Sequence, residues 1–530
     1  MKLSELIYPN LSLDDIFISN RNLNSINSIV TRFGPSPTSI NMHIGNLYVS
    51  AISKNIAEKS KGVFILRIED TDKVREADNG IINIIKGLEH YNIVPDEGVF
   101  LTEDKIYQKG NYGSYIQSER LNIYKTFAKL LIDNGYAYPC FCTSEELEQV
   151  RLTQGDNTGY YKEFAKCRNL SLDEVKEKMN LPFVIRLKSF GDSKNSFKFK
   201  DHIKGEINII ENDKDIILIK SDGYPTYHFA HVVDDYLMKI THVIRGDEWL
   251  STLPIHLQLF KYFGFGAPEY AHISPIMKID EFGVKRKISK RKDLEANVEY
   301  YSKEGYPVEA VMEYLYNIAN PSFENWKKTN PTLSYKDYVI KIYELNKSGA
   351  LFDFAKLNFI STNIISKLSA EEIYFNVLNW SKKYNINFHE LLIDEKDKSL
   401  KIFELNKNRK DIVKFSDIRN LYYYFYSDYF YFKTFDLSEY KDIAKAYLNA
   451  FNFDEDKNGW FAKVKDLSFK FGYAESKKVY DLNPEQYNGI ISDFVTILRK
   501  IITKQEKSPD LYDIICILGK EEVIKRMNIR

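Results

Sequence analysis

The pattern of hydrophobic and polar positions predicts a strand, a helix and a second strand near the start of the chain. An apolar run at 29–33 ends in a loop rich in glycine and proline. From His43, apolar residues recur at helical spacing until Gly62 interrupts them, and a second apolar run follows at 63–68. Parallel strands need a crossover connection, so this order predicts a βαβ unit and a parallel sheet.

Further along, the pattern changes three times. It is mixed between 108 and 220, and apolar runs at 215–219 and 240–245 predict that the sheet resumes after this insertion. Beyond residue 295 it is almost all helical. At 421–432, nine of twelve positions are Tyr or Phe, which favours a packed helix over the alternative, a base-stacking surface.

Composition narrows the class of protein. A length of 530 residues predicts several domains, and 44% hydrophobic with 28% charged residues is globular rather than disordered. The 74 basic and 74 acidic residues cancel, so no overall charge points to a nucleic-acid or membrane partner. Four cysteines are too few for a disulfide framework, and Cys516 is expected to be a small core residue. No apolar run could span a membrane and the N-terminus lacks a signal-peptide pattern, so a cytoplasmic protein is expected.

Two segments carry candidate phosphate chemistry. His43 and Gly45 stand at a predicted helix start, where free N–H groups and the helix dipole favour anions. A basic loop follows 240 residues later, and such a loop attracts polyphosphate or a nucleic-acid backbone. Its cations are Lys278, Lys285, Arg286, Lys287, Lys290, Arg291 and Lys292. Alone, each segment also fits a structural cap or a solvated surface loop. Together, His-Ile-Gly and Lys-Ile-Ser-Lys-Arg resemble the two signatures of class I aminoacyl-tRNA synthetases.

Further motifs make the resemblance narrower, to the bacterial form of glutamyl-tRNA synthetase from about residue 29 onward. They are RFGPSPT at 32–38, RIEDTD at 67–72, SDGYPTYHFA at 221–230, VVDD at 232–235, VIRGDEW at 243–249, LFDFAKLN at 351–358 and ILGKEE at 517–522. One departure is Asn46, where the general class I signature has a second histidine.

The resemblance implies an α/β Rossmann-like class I catalytic domain, an α+β insertion for the tRNA acceptor end, and an all-α anticodon-binding region. The expected boundaries are an N-terminal extension at 1–28, a split catalytic domain at 29–107 and 221–280, the insertion at 108–220, a lysine loop and helical stem-contact domain at 281–345, and the anticodon-binding region at 346–530.

The implied reaction is the ATP-dependent activation of L-glutamate to glutamyl-adenylate, followed by transfer to the 3′-terminal adenosine of tRNA(Glu), with tRNA(Gln) as a second acceptor left open. It needs no covalent enzyme nucleophile, only orientation of the reactants and stabilisation of phosphate charge. The residues implied for ATP, with Mg²⁺, are His43, Gly45, Lys287, Ser289 and Lys290. The protein is expected to act as a monomer without a membrane partner.

For glutamate, the motif positions imply a pocket that matches its two carboxylates and its ammonium group. The residues carried over are Arg32, Ser36, Glu69, Tyr227, His231, Arg245 and Trp249. The two arginines match the two carboxylates of glutamate, and the Glu69 carboxylate can accept hydrogen bonds from its ammonium group. Arg32 is expected at the side-chain carboxylate, with Arg245 as the competing choice. His231 stands where the best-known pattern has Asn, so its contact is an open point.

Three of the four cysteines cluster in the predicted insertion. The spacing of Cys140, Cys142 and Cys167 suits sulfur ligands of zinc in a reducing compartment. Some glutamyl-tRNA synthetases bind zinc here with a His or Tyr as fourth ligand, and Tyr160 or Tyr161 could fill that place. The alternative is three reduced cysteines in a vestigial knuckle.

Two other functions compete. Glutaminyl-tRNA synthetase is a near relative, but its C-terminal part would be a β-barrel, whereas the pattern after residue 346 is helical. Loss of the lysine loop or of the histidine at the helix start would indicate a non-catalytic tRNA-binding paralogue. Both features are present, which argues against this alternative.

Overall fold

The computed structural model describes residues 2–16, 21, 23, 25–155, 157–405, 410–432 and 436–528. Parts of the expected extension (1–28) and of the expected anticodon-binding region (346–530) lie outside these residues. The chain forms two compact units, 1–301 with 312–353, and 302–311 with 354–530. In the described part of the chain, no helix is both long and apolar enough to cross a membrane.

The predicted βαβ unit is confirmed. Strands β1 and β2 pair in parallel, and helix α2 connects them. Strand β3 adds to β2 in parallel, and β4 closes the sheet antiparallel to β3. The elements, in order, are α1 (Leu3–Ile7), β1 (Val30–Phe33), α2 (Ile44–Lys59), β2 (Val63–Leu66), α3 (Gly80–His90), β3 (Glu97–Thr102) and β4 (Lys105–Lys109).

The insertion is mixed, as expected, and has its own small sheet. Its elements are α4 (Leu121–Asp133), β5 (Ala137–Cys140), α5 (Ser144–Leu152), α6 (Leu172–Lys178), β6 (Val184–Leu187), β7 (Ser196–Asp201), β8 (Gly205–Ile210) and β9 (Ile217–Ile219). Strands β5, β6 and β9 form an antiparallel sheet, and β7 and β8 form a separate hairpin. The prediction that the run at 215–219 rejoins the parallel sheet is therefore wrong, because β9 pairs with β6.

The parallel pattern resumes after the insertion. The next elements are α7 (Tyr227–Leu237), β10 (His242–Gly246), α8 (Leu253–Phe263), β11 (Glu269–Ile273), β12 (Met277–Ile279) and β13 (Lys285–Lys287). Strands β10 and β11 pair in parallel. The Thr241 N–H donates to the Val30 carbonyl oxygen at 3.0 Å, so the start of β10 lies beside β1. Strands β12 and β13 form the hairpin that carries the basic loop.

The remaining elements are helices, as the pattern after residue 295 predicts. They are α9 (Val298–Glu304), α10 (Val308–Ala319), α11 (Pro321–Thr329), α12 (Phe354–Ile365), α13 (Ala370–Tyr384), α14 (Ile386–Asp394), α15 (Lys396–Glu404), α16 (Asp417–Tyr422), α17 (Ser427–Phe432), α18 (Lys441–Ala450), α19 (Lys457–Lys470), α20 (Lys477–Leu482), α21 (Ile491–Thr503) and α22 (Leu511–Met527).

The aromatic run at 421–432 forms core. Tyr422, Tyr424, Phe425 and Phe430 are all buried within the hydrophobic cluster of the second unit, so the packing interpretation is confirmed and these rings are not a base-stacking surface. Cys516 is exposed, and the expectation that it is a core residue is wrong.

Candidate active site

A cavity of about 700 Å³ opens at the carboxyl ends of β1, β2 and β10. Ligands of parallel α/β sheets bind at this edge, and the volume suits a small-molecule site. Nine of the predicted residues line it: Arg32, Ser36, His43, Gly45, Glu69, Tyr227, Arg245, Trp249 and Lys287. The other three predicted residues, His231, Ser289 and Lys290, are not among those lining it.

Helix α2 points its N-terminus at the cavity. His43 caps it, because its Nδ1 accepts the Gly45 N–H at 2.9 Å. Burial, together with the charges of Lys290 and Lys287, lowers the pKa of His43, so the ring is neutral at pH 7. Since Nδ1 is the acceptor, Nε2 carries the proton, and a hydrogen bond to the Ile288 backbone partly offsets the fall in the pKa. A Cβ at Gly45 would lie 3.0 Å from His43 Nδ1, so a larger residue would disturb this cap.

The lysine loop reaches the cavity only in part. Lys287 lines it, with its Nζ 3.1 Å from Glu248 Oε1. Lys290 instead donates to Ser39 Oγ at 2.9 Å and to the Asn41 carbonyl oxygen, both in the loop between β1 and α2. In this conformation, the Lys290 ammonium lies beside the cavity rather than in it.

Asp293, which the sequence analysis missed, neutralises part of the basic loop. It accepts two hydrogen bonds from Arg286, at 2.6 and 2.8 Å, and one from the Ser289 N–H at 2.8 Å. The Lys278 ammonium nitrogen lies 3.3 Å from Asp293 Oδ1. The Arg286 hydrogen bonds hold the pKa of Asp293 well below its usual range. The loop is thus less positive than its sequence suggests.

A buried ionic network lies beneath the cavity. Arg67, fully buried, contacts Asp235 at 2.6 Å and Glu69 at 2.9 Å. Arg120 contacts Asp234 at 2.8 Å. Burial alone would lower the pKa of Arg67, but Asp235, Glu69 and Asp234 outweigh it and raise that pKa. Burial raises the pKa of Glu69, and Arg67 and Arg32 oppose this rise. Glu69, Asp234 and Asp235 belong to the sequence motifs, but the motifs do not indicate their partners.

Arg32 belongs to the same network. Its Nε lies 3.3 Å from Asp235 Oδ2, so it shares that carboxylate with Arg67. His231 lies behind it and is fully buried, with Nδ1 3.4 Å from Arg32 and Nε2 3.2 Å from the Tyr270 hydroxyl. Burial, then the neighbouring arginines, lowers the pKa of His231, so it is a neutral support for Arg32.

Arg245 differs from the other arginines because its partners are neutral. Its Nε donates to His272 Nε2 at 3.0 Å, and its two terminal nitrogens contact His256 Nδ1 at 3.2 Å and the Trp249 carbonyl oxygen at 3.2 Å. The Tyr227 hydroxyl accepts a longer bond of 3.4 Å. Among the described residues, no carboxylate oxygen lies within 4.0 Å of this guanidinium, although Arg245 is only 5% exposed. Arg245 is therefore a buried cation poised for an anionic ligand.

The three clustered cysteines meet in the insertion. Cys142 Sγ lies 3.6 Å from Cys167 Sγ, and the Tyr160 hydroxyl lies 3.4 Å from Cys140 Sγ and 3.2 Å from Cys142 Sγ. Sulfur ligands of tetrahedral zinc are roughly 3.8 Å apart, so this donor set fits that metal. The Tyr161 hydroxyl donates elsewhere, to the Asn157 carbonyl oxygen at 2.9 Å. Of the two tyrosines considered, Tyr160 is therefore the one at the thiols.

The chain is similar to known proteins along most of its length. Residues 28–357 match the family "tRNA synthetases class I (E and Q), catalytic domain", and residues 486–530 match "Anticodon binding domain". The glutamate–tRNA ligase of Acetivibrio thermocellus is 44% identical over 99% of this chain and 98% of its own. That of Clostridium perfringens strain 13 is 42% identical over 99% of each chain. A crystal structure of the glutamate–tRNA ligase of Elizabethkingia meningosepticum with its amino acid gives a TM-score of 0.73 at 28% identity, over 94% of this chain and 98% of that one.

The catalytic domain and its cavity thus define a class I tRNA synthetase. Within that class, full-length similarity to several curated relatives shows that the chain belongs to the glutamate–tRNA ligase family.

Proposed function

We propose that this protein activates L-glutamate with ATP and transfers the glutamyl group to the 3′-terminal adenosine of tRNA(Glu). One observation carries the proposal: a single cavity combines a helix N-terminus suited to phosphates with two buried arginines and a buried carboxylate suited to glutamate. In the first step, a glutamate carboxylate oxygen attacks the α-phosphate of ATP and pyrophosphate leaves. In the second, a ribose hydroxyl of tRNA attacks the activated carbonyl and AMP leaves.

The glutamate subsite consists of Glu69 for the ammonium, the two arginines for the carboxylates, and Ser36, Tyr227 and Trp249 around the substrate. Charge balance supports an assignment of the arginines. Arg32 already shares Asp235, whereas Arg245 has only neutral partners. We therefore assign the side-chain carboxylate to Arg245 and the α-carboxylate to Arg32. His231 serves by supporting Arg32 from behind rather than by touching substrate.

The ATP subsite is built on the start of α2. The positive end of the α2 dipole would face the phosphates, and Gly45 leaves the His43 cap intact. Lys287 adds a cation at the cavity wall. Lys290 would join it by leaving Ser39 and Asn41, and Ser289 keeps the loop turned through Asp293. Mg²⁺ carried by the ATP phosphates would spread the charge that develops on them.

The remaining regions are assigned to tRNA. The insertion at 108–220 would hold the acceptor end, the region 281–345 the stem, and the helices after 346 the anticodon. Support comes from the match of residues 486–530 to an anticodon-binding domain and from the helical character of the second unit. The protein is proposed to work as a cytoplasmic monomer.

We also propose one structural zinc ion at Cys140, Cys142, Cys167 and Tyr160. The spacing of the donors supports it, and the Phe141 N–H, 3.4 Å from Cys167 Sγ, would further stabilise a thiolate there. The ion would tie the end of β5 to the segment around Cys167.

The decisive experiment is glutamate-dependent ATP–pyrophosphate exchange, with tRNA present, followed by charging of purified tRNA(Glu) and tRNA(Gln). The proposal predicts exchange with glutamate and charging of tRNA(Glu). Exchange with glutamine in preference to glutamate would identify a glutaminyl-tRNA synthetase, and tRNA binding without exchange would identify a non-catalytic paralogue. Charging of tRNA(Gln) decides whether the enzyme has a second acceptor.

A further inference from the structure

A buried pair outside the cavity, Asp201 and His272, is linked to Arg245 through His272. We propose that Asp201 and His272 are positioning residues, which hold the Arg245 guanidinium ready for the substrate carboxylate. The pair deepens the function proposed above and rests on it, because it acts on the arginine assigned to glutamate. Neither residue is among those lining the cavity, and both are fully buried or nearly so.

The register of the sheet brings His272 to Arg245. Strands β10 and β11 are parallel, and Arg245 is the register partner of His272. His272 Nε2 accepts from Arg245 Nε at 3.0 Å. On its other side, His272 Nδ1 lies 2.7 Å from Asp201 Oδ2. Asp201 ends β7, so the hairpin of the insertion supplies the last member of the chain Asp201–His272–Arg245.

Asp201 fixes which nitrogen of His272 carries the proton. Its Oδ1 accepts the N–H groups of Ile203 at 2.9 Å and Lys204 at 2.8 Å, and its Oδ2 accepts the His272 N–H at 3.2 Å. Burial alone would raise the pKa of Asp201, but His272 and these N–H groups lower it below its usual value. An ionised carboxylate only accepts hydrogen bonds, so the proton of neutral His272 sits on Nδ1. His272 Nε2 then has a free lone pair, which accepts the hydrogen bond from Arg245 Nε.

The arrangement leaves the charge of Arg245 available. A carboxylate bound directly to Arg245 would compete with the substrate, whereas an imidazole orients the guanidinium as a neutral acceptor. Burial lowers the pKa of His272, which keeps the ring neutral. The acid thus acts through the tautomer and orientation of a histidine, as the aspartate does in serine protease triads. This explains how a buried arginine is held without an ion pair.

The test is Asp201→Asn. The amide oxygen would stay with the N–H groups of Ile203 and Lys204, so the NH2 group would face His272 Nδ1 and move the ring proton to Nε2. Two donors, Nε2–H and the Arg245 Nε–H, would then oppose each other. We expect the KM for glutamate to rise about 10- to 100-fold, on the scale of one lost hydrogen bond to a charged group. The KM for ATP should change little, whereas the thermal midpoint should fall, because the NH2 group also faces the backbone N–H of His272 and leaves buried donors opposed.

A second substitution separates positioning from a merely structural role. In His272→Ala, no side chain links Asp201 to Arg245, so the proposed path is already cut. Asp201→Asn should therefore raise the KM for glutamate clearly less in a His272→Ala background than in the wild type. Glu206→Gln, an exposed carboxylate-to-amide change in the same hairpin, is the matched control and should leave the KM unchanged. Additive losses in the double variant, or an unchanged KM in Asp201→Asn, would overturn the proposal.

The tautomer is also measurable without an activity assay. Selective ¹⁵N labelling of histidine should show the His272 proton on Nδ1 in the wild type and on Nε2 in Asp201→Asn. If the wild type does not activate glutamate, the proposed function is wrong. The labelling experiment still determines the tautomer of His272 in that case. A wild-type His272 protonated on Nε2 would overturn the positioning role by itself.

Discussion

Arg245→Gln should reduce glutamate activation severely and narrow the preference for glutamate over glutamine. Arg245 is 5% exposed, and the four groups that its guanidinium contacts are neutral. With glutamate bound, it would form a buried ion pair, and removing one partner of such a pair costs about 3–5 kcal/mol. At 1.36 kcal/mol per decade, this corresponds to a fall in kcat/KM for glutamate of about 10²- to 10⁴-fold. Glutamine carries a neutral amide, so its activation should fall much less.

The assay is ATP–pyrophosphate exchange at varied glutamate and glutamine, with tRNA(Glu) present. Arg32→Gln is the matched comparison, because Arg32 is assigned to the α-carboxylate that both amino acids share. It should lower activation of the two amino acids by similar factors. The reasoning is refuted if Arg245→Gln lowers both equally while Arg32→Gln narrows the preference, because the side-chain carboxylate would then belong to Arg32.

Three further results are expected. Lys290→Ala should slow adenylate formation about 10²-fold or more, with glutamate affinity little changed, because one charge-stabilising donor is lost; Lys292→Ala on the same loop is the control, and an unaltered activation rate contradicts the role. Elemental analysis should find about one zinc per chain, lost in Cys142→Ser and kept in the exposed-site control Cys516→Ser; metal-free protein with full activity and stability favours the vestigial knuckle. His231→Asn should retain glutamate activation and lose less thermal stability between pH 7.5 and 5.5 than the wild type. The pKa of His231 is lowered in the fold, so the unfolded chain binds its proton more readily and stability falls as pH falls below about 6.5, by up to about 1.4 kcal/mol per pH unit; an identical acid-side loss in the variant contradicts this.

Local features of the site could be predicted from the sequence. The strand at 30–33, the helix that His43 caps and the strand at 63–66 follow from short-range periodicity, and their motifs place nine predicted residues around one cavity. The cysteine spacing predicted a cluster, although only the fold distinguishes Tyr160 from Tyr161. These features depend on neighbours along the chain.

Pairings between distant segments could not be predicted in the same way. Arg32 and Asp235 are 203 residues apart, and His272 and Asp201 are 71 apart, so no periodicity relates them. The position of Lys290 depends on a loop 249 residues earlier, at Asn41. Sequence motifs therefore predicted members of the site, whereas long-range packing decides their partners. Asp235 of α7 pairs with Arg32, and the sheet register and the insertion hairpin place His272 and Asp201 behind Arg245.

The pairing of the buried charged groups explains why the pocket should prefer glutamate. Beneath the cavity, Arg32, Arg67 and Arg120 face Glu69, Asp234 and Asp235, so three cations meet three anions. Arg245 is one further buried cation, and the buried Asp201 carboxylate reaches it only through neutral His272, so no carboxylate oxygen among the described residues lies within 4.0 Å of its guanidinium. The side-chain carboxylate of glutamate would supply that direct partner. Glutamine brings no net charge and would leave Arg245 buried and unpaired, and sites that leave such a group unpaired reject the analogue by about 10⁴-fold. Selectivity would then arise from an arginine that the fold orients through His272 but does not neutralise.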